Sequence, residues 1–166
     1  MAAPASAETA EIIRRFYDAF ARRDAEAMVA CYHRDVTFTD PAFGRLDSRR
    51  ARGMWRMLLG RAADLAVTHA DVRASDDGRT GAAHWEARYT FGATGRKVHN
   101  VIEARFVFRD GLIAEHVDTF DVWRWSRQAI GPAGLLLGWA PFFRAKLQSQ
   151  ARAQLDKWLE KNPHSL

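Results

Sequence analysis

The sequence has a single cysteine, Cys31, which excludes an intramolecular disulfide framework and fits a reducing compartment. No apolar run approaches the ~18 residues of a membrane span. The opening residues, "MAAPASAETAE", carry neither a basic n-region nor an apolar h-region, so a cytoplasmic address is the expectation. There is no Gly-rich phosphate loop and no nucleophile elbow. The six histidines (His33, His69, His84, His99, His116 and His164) show no ligand spacing, which argues against a metal site. The aromatic residues are not interleaved with a basic stripe, so nucleic acid is not an expected partner. Nothing in the chain calls for a cofactor.

What is present is an apolar, aromatic chain. Apolar residues make up 48% of its 166 residues, with six Trp and ten Phe, enough to fill one core. The formal charge of +5 is unevenly placed. From Arg124 onward there are seven basic residues and two acidic ones, so that segment carries +5. The remainder, with 18 of each sign, is neutral.

Hydrophobic periodicity divides the chain. Ile12, Ile13, Phe16 and Phe20 fall at helical spacing after a Thr9 cap, and "DAEAMVACY" starts a short second helix at the N-cap Asp24. The stretch "DVTFTDP" alternates Val36, Phe38 and Asp40 on one face until Pro41 stops it. A third helix begins near Asp47 or Ser48, with Ala51, Met54, Trp55, Leu58, Leu59 and Ala62 as its apolar stripe. The period then changes from 3.6 to 2, and residues 65–74, 80–91, 96–108 and 112–123 read as four strands. Three helices followed by an antiparallel meander is an α+β arrangement. The tail departs from it: "GPAGLLLGWAPFF" is apolar, and a helix follows with Phe143, Leu147, Ala151, Leu155, Trp158 and Leu159 on one side. The expected organisation is a disordered N-terminus over 1–7, a domain over 8–125 and a tail over 126–166.

The order of elements and three strings resemble the SnoaL-like branch of the nuclear transport factor two-like superfamily. The strings are "RFYDAFARRDAEAMVACYHRDVTFTDP", "GATGRKV" and "RDGLIAEHVDTFD". The resemblance covers roughly residues 8 to 123. It implies a cystatin-like α+β roll: a cone-shaped, curved antiparallel sheet wrapped on three N-terminal helices around a deep apolar pocket, usually in a dimer. The C-terminal helical tail is extra to it.

Related enzymes place their chemistry at positions that can be matched singly. In ketosteroid isomerase the general base is an aspartate before a proline, and Asp40-Pro41 stands there. Its oxyanion-hole places hold Phe16 and Ala104 in this chain. Limonene epoxide hydrolase uses an Arg-x-Asp, whose places hold Trp85 and Ala87, and a last-strand Asp matched by Asp118. SnoaL-type cyclases also use an acid/base aspartate at about Asp118. No one of these mechanisms is matched in full.

The strand containing "EHVDTFDVW" poses the sharper question, because Leu112, Ala114, His116, Asp118, Phe120 and Val122 share one face. Closing the last hairpin over "RDG" sets Ala104 opposite His116 and Ile102 opposite Asp118. Closing the preceding one over "GATG" sets Trp85 opposite Ile102 and Ala87 opposite Asn100. One face then gathers Trp85, Tyr89, Asn100, Ile102 and Ala104 around His116 and Asp118, with Asp40 at the rim or wall. The other face pairs His84 with Glu103 and Arg105 with Glu115. Tyr17, bordering the inward stripe of helix one, either reaches this pocket or packs.

A poorly solvated carboxylate is the better base near neutral pH. Asp40, His116 and Asp118 are therefore the candidate catalytic residues. Tyr17, Trp85, Tyr89, Asn100, Ile102 and Ala104 are the candidate substrate contacts. The expected function is cofactor-free acid/base catalysis on a small apolar molecule: isomerisation, cyclisation or epoxide opening. The alternative is a non-catalytic ligand-binding or dimerisation module, or carboxylates that only pair or cap turns. A homodimer is expected through the outer sheet face, which carries Val101, Val107 and Val117 between charges. The tail is expected to fold across the pocket mouth or the dimer seam. Contact between the tail and a membrane surface is the other reading.

Overall fold

A computed structural model of the protein describes residues 4–61 and 63–164. Ala62, part of the stripe expected for the third helix, lies outside the described residues. The elements run α1 (Ala5–Ala21), α2 (Ala25–Ala30), β1 (Tyr32–Asp40), β2 (Gly44–Leu46), α3 (Ser48–Arg61), β3 (Ala66–Ala74), β4 (Thr80–Phe91), β5 (Arg96–Arg109), β6 (Leu112–Thr119), α4 (Val122–Ala129), α5 (Pro132–Leu137) and α6 (Pro141–Lys161). The strands form one curved sheet in the order β2-β1-β6-β5-β4-β3, with α1 and α3 packed inside the curve. This is the α+β roll.

Local chemistry accounts for most element starts. Asp24 Oδ1 accepts from Ala27 N at 2.9 Å, and Asp47 Oδ1 accepts from Arg50 N at 2.9 Å, capping α2 and α3. Helix α1 begins at Ala5 behind Pro4, inside the stretch expected to be disordered and ahead of the expected Thr9 cap. Thr9 is buried within α1, where its Oγ1 donates to Gly78 O at 2.7 Å. This side chain ties the helix to the β3–β4 turn.

The β4–β5 ladder has the expected register: Trp85 faces Ile102, Ala87 faces Asn100 and His84 faces Glu103. The β5–β6 ladder is shifted by two residues, so Ala104 faces Asp118 and Phe106 faces His116. Two local features produce the shift. Asp110 and Gly111, at φ 53° and 71°, form a two-residue turn of the left-handed kind, one residue tighter than the "RDG" closure. A bulge between Val107 and Phe108 then adds one more step. Without the bulge, the tight turn would put His116 and Asp118 opposite odd-numbered, outward-facing residues of β5. The expected Arg105–Glu115 pair is not formed, since Glu115 faces Val107.

Two further differences shape the site. Strand β1 pairs with β6 in parallel, inside a sheet that is otherwise antiparallel. Strand β6 ends at Thr119, because Asp121 caps α4 by accepting from Arg124 N at 3.0 Å. Val122 and Trp123 therefore lie on a helix rather than a strand.

The tail packs back on the domain through both α6 and α4. Helix α6 buries Leu155 and Leu159 against α3, where a Cβ on Gly53 would stand 2.5 Å from Leu159 Cδ2. Arg50 pairs with Asp156 at 2.9 Å, and Arg152 Nε donates to Phe43 O at 2.6 Å. Gln148 Nε2 reaches Pro41 O at 3.3 Å. Helix α6 thus clasps the Pro41–Phe43 turn that follows Asp40. Helix α4 closes the sheet's open end with Trp125 and Ala129, packed on Val98, Tyr89 and Phe120. Residues 135–137 and Trp139 are exposed in the single chain and do not cover the cone.

Candidate active site

The interior of the roll is aromatic, yet a continuous polar chain runs through it. Trp55 Nε1 donates to Tyr32 Oη at 2.8 Å, and Tyr32 Oη lies 2.8 Å from His116 Nδ1. His116 Nε2 lies 2.9 Å from Asp118 Oδ1, which Trp85 Nε1 also approaches at 3.3 Å. The proton directions follow from the end of the chain. An indole N–H can only donate, so the tyrosine oxygen accepts there and its one proton points at Nδ1. With that proton directed at Nδ1, the matching tautomer has Nε2–H donating to Asp118 Oδ1. His116 is fully buried, walled by Phe106, Phe38 and Phe16 at ring-centroid distances of 4.5, 5.0 and 5.4 Å. Both of its nitrogens are engaged.

Position follows from strand period and register. On β6, His116 and Asp118 point inward two residues apart, and Phe38 of β1 lies beside His116. The parallel register ends on Thr39 and Val117, so the next residues, Asp40 and Asp118, lie at the strand ends on the same face, close enough for the Asp118 charge to act on Asp40. Adjacent strands lie about 4.8 Å apart. The two carboxyl groups are therefore neighbours on one inward face.

Their environments differ. Asp118 is 4% exposed and holds its two hydrogen bonds on Oδ1. Asp40 accepts from Phe43 N at 2.6 Å and Ala42 N at 3.0 Å, both on Oδ1, so it caps its turn. Among the described residues nothing bonds the second oxygen of either group. Burial pushes the Asp40 carboxyl up to about 7, the two backbone bonds pull against that rise, and the Asp118 charge adds to it.

The other expected contacts divide into two groups. Tyr17, Trp85, Ile102 and Ala104 gather at Asp118: Tyr17 and Trp85 rings lie 5.9 Å apart, Trp85 faces Ile102, and Ala104 faces Asp118. Tyr17 Oη is buried with no hydrogen-bond partner among the described residues. Burial and the Asp118 charge hold that phenol well above its ordinary pKa, so it stays protonated and remains a donor. Tyr89 and Asn100 sit nearer the open end. Tyr89 Oη accepts from Trp125 Nε1 at 2.9 Å, and its pKa is raised by burial first and by Asp40 to a lesser degree. Asn100 is half-buried, and its side-chain amide makes no hydrogen bond among the described residues.

The places of Tyr32, Trp55 and Arg52 in the site escaped sequence reading. Tyr32 was assigned to the second helix, although extending the alternation of Val36 and Phe38 backwards reaches it. Arg52 donates to Val29 O, Tyr32 O and His33 O at 3.0 to 3.1 Å and so fixes the start of β1. Nothing local in the sequence signals that bond. Cys31 is buried at the end of α2 with burial raising its thiol pKa, an inert core position. Among the described residues no cluster of metal-ligating side chains occurs. A groove of about 550 Å³ runs between α4 and α6, lined among others by Phe120, Trp139 and Gln148.

A six-stranded curved sheet closed over three helices is the α+β roll that the resemblance implied. The family model for the SnoaL-like domain matches residues 13–116, more than half of the chain, and the protein belongs to that family. An LEH-like epoxide hydrolase of M. tuberculosis superposes with a TM-score of 0.65 at 21% identity, covering 81% of this chain and 98% of its own. A candidate polyketide cyclase of Xanthomonas campestris pv. campestris gives 0.63 at 22% identity, covering 75% and 98%. A candidate ketosteroid isomerase of Kribbella flavida gives 0.56 at 19% identity, covering 70% and 79%. At these identities the likeness is one of fold. No functionally curated protein matches the sequence.

Proposed function

We propose that the protein is an acid/base enzyme for a small, largely apolar molecule, with Asp118 as the base and Asp40 as the acid. The observation that carries this reading is the parallel β1–β6 register, which brings two carboxyls of unlike environment together inside an aromatic cone. Asp118 is oriented by His116 and Trp85 and keeps Oδ2 for a substrate proton or an attacking water. Asp40, half protonated near neutral pH, returns a proton to the oxygen that gains charge. Tyr17 Oη, a buried donor without a partner among the described residues, stabilises that oxygen. His116 is a positioning residue, because its nitrogens are spent on Tyr32 and Asp118.

Epoxide opening, cyclisation and double-bond isomerisation all fit one proton taken and one returned. The solved neighbours bear epoxide hydrolase, cyclase and isomerase descriptions, which supports this set without choosing within it. The ligand-binding alternative has its own support, since Phe16, Ala104, Trp85 and Ala87 stand where related enzymes carry polar machinery. Turnover of a panel of epoxides, enones and polyketide-like esters separates the two. The enzyme reading expects wild-type turnover that Asp118→Asn and Asp40→Asn both remove. A ligand that binds tightly, is never converted and binds the two variants equally well would leave only the alternative.

A further inference from the structure

We propose that the α4–α6 face is an interfacial docking surface for an anionic lipid membrane. Leu135, Leu136, Leu137, Trp139 and Phe142 are 50, 69, 44, 73 and 62% exposed, and they cluster within eight residues, whereas Leu58 and Val107 are exposed singly elsewhere. The run is held outward by construction. A Cβ on Gly134 would fall 2.1 Å from Ser126 O, and one on Gly138 would fall 1.9 Å from Ser126 Oγ. Helix α5 therefore lies on α4 by its glycine edge, which turns the leucines to solvent. Ser126, fully buried between them, donates to Trp123 O at 3.0 Å and Gly134 O at 3.2 Å.

The exposed indoles have satisfied their own donors. Trp123 Nε1 donates to Leu135 O at 3.0 Å and Trp139 Nε1 to Leu136 O at 2.9 Å. Such rings can enter an apolar phase without an unmet N–H.

Charge selects the occupant. From Val122 to Leu155 there is no acidic residue, whereas Arg124, Arg127, Arg144, Lys146 and Arg152 are basic. Arg127 stacks over the Trp123 ring at 4.4 Å, and Arg144 lines the groove beside Trp139. A second copy docked symmetrically would set this patch against itself, cation against cation. A surface of anionic headgroups over hydrocarbon complements both halves of it. No described helix is long and apolar enough to cross a membrane, so the contact lies in the interface.

Flotation tests this with vesicles of phosphatidylcholine alone and of phosphatidylcholine with roughly one third phosphatidylglycerol. The protein should float with the anionic vesicles only, and added salt should weaken recovery. Leu136→Asp with Trp139→Asp should remain at the bottom while keeping the wild-type melting temperature, since both side chains are exposed. Arg127→Gln and Arg144→Gln probe the surface independently, each lowering partition roughly fivefold, the equivalent of about 1 kcal/mol per cation. Wild type that stays at the bottom with both vesicles overturns the proposal. So does equal, salt-insensitive flotation with neutral vesicles, or a wild-type dimer that Leu136→Asp turns into a monomer.

Discussion

The cone and the tail invert each other. Inside the cone, Tyr32, His116, Asp118 and Tyr17 are polar groups held among aromatic rings, each at most 4% exposed. On the tail, leucines and tryptophans are held in solvent among cations. Folding favours neither arrangement, because buried polar groups must be paired and exposed apolar ones gain nothing from water. The cone resolves much of the conflict by pairing Tyr32, His116 and one oxygen of each carboxyl, and among the described residues it leaves the buried Tyr17 hydroxyl without a partner. The tail leaves it unresolved within one chain. Where a fold declines its own optimum, the unmet group points to a ligand, and here the unmet groups differ in kind: donors and acceptors inside, apolar surface outside.

The comparison can be broken at graded cost. The largest expected effect is on turnover: Asp118→Asn should lower the rate by about 10²–10⁴, the usual loss for a general base. The change should leave the tail's behaviour untouched. Next is His116→Phe, which strands the Tyr32 hydroxyl and one acceptor of Asp118 in the core. Urea unfolding should show a loss of about 3 kcal/mol. An unchanged midpoint would mean that the polar chain does not organise the interior.

Tyr17→Phe has the opposite sign. Removing a buried hydroxyl that lacks a partner should raise stability by roughly 1 kcal/mol, read as a higher urea midpoint, while weakening ligand binding or turnover. A Tyr17→Phe variant that is both less stable and fully active would remove the oxyanion role. The smallest effect belongs to the outer region: Leu136→Asp should change stability by less than about 0.5 kcal/mol, as exposed positions do.

Much of this could be read from the residues, and the gaps have physical causes. The β4–β5 ladder was legible because one "GATG" turn fixes a long run of period-2 alternation. The inward side of Asp118 was legible too, although its partner on β5 was not. A tight turn and a bulge each shifted the register by one, and together they restored the face. The neighbourhood of Asp40 and Asp118 was not legible, since parallel pairing joins strands 78 residues apart with no turn to announce it. Tyr17 was visible only as a residue bordering the helix stripe. Its missing partner is a property of packing. The exposure of "LLLGW" rests on close contacts of Gly134 and Gly138 with a serine eight or more residues earlier, which apolar patterning does not encode.

The central claim is that Asp40 and Asp118 form one coupled pair inside the cone. Asp40's raised pKa predicts a sign for stability. The folded state holds a proton that the unfolded state has released between pH 3.8 and about 7, so stability from this residue falls as pH rises through that window and is level above it. Asp40→Asn keeps the Oδ1 cap, should flatten that slope, and should melt later than wild type at pH 8. The direct measurement is the side-chain carboxyl carbon titration of Asp40, followed by NMR in wild type and in Asp118→Asn. Coupling of the two carboxyls gives a midpoint near 7 that moves downward when the Asp118 charge is removed. A midpoint near the ordinary 3.8, unmoved by Asp118→Asn, would contradict it.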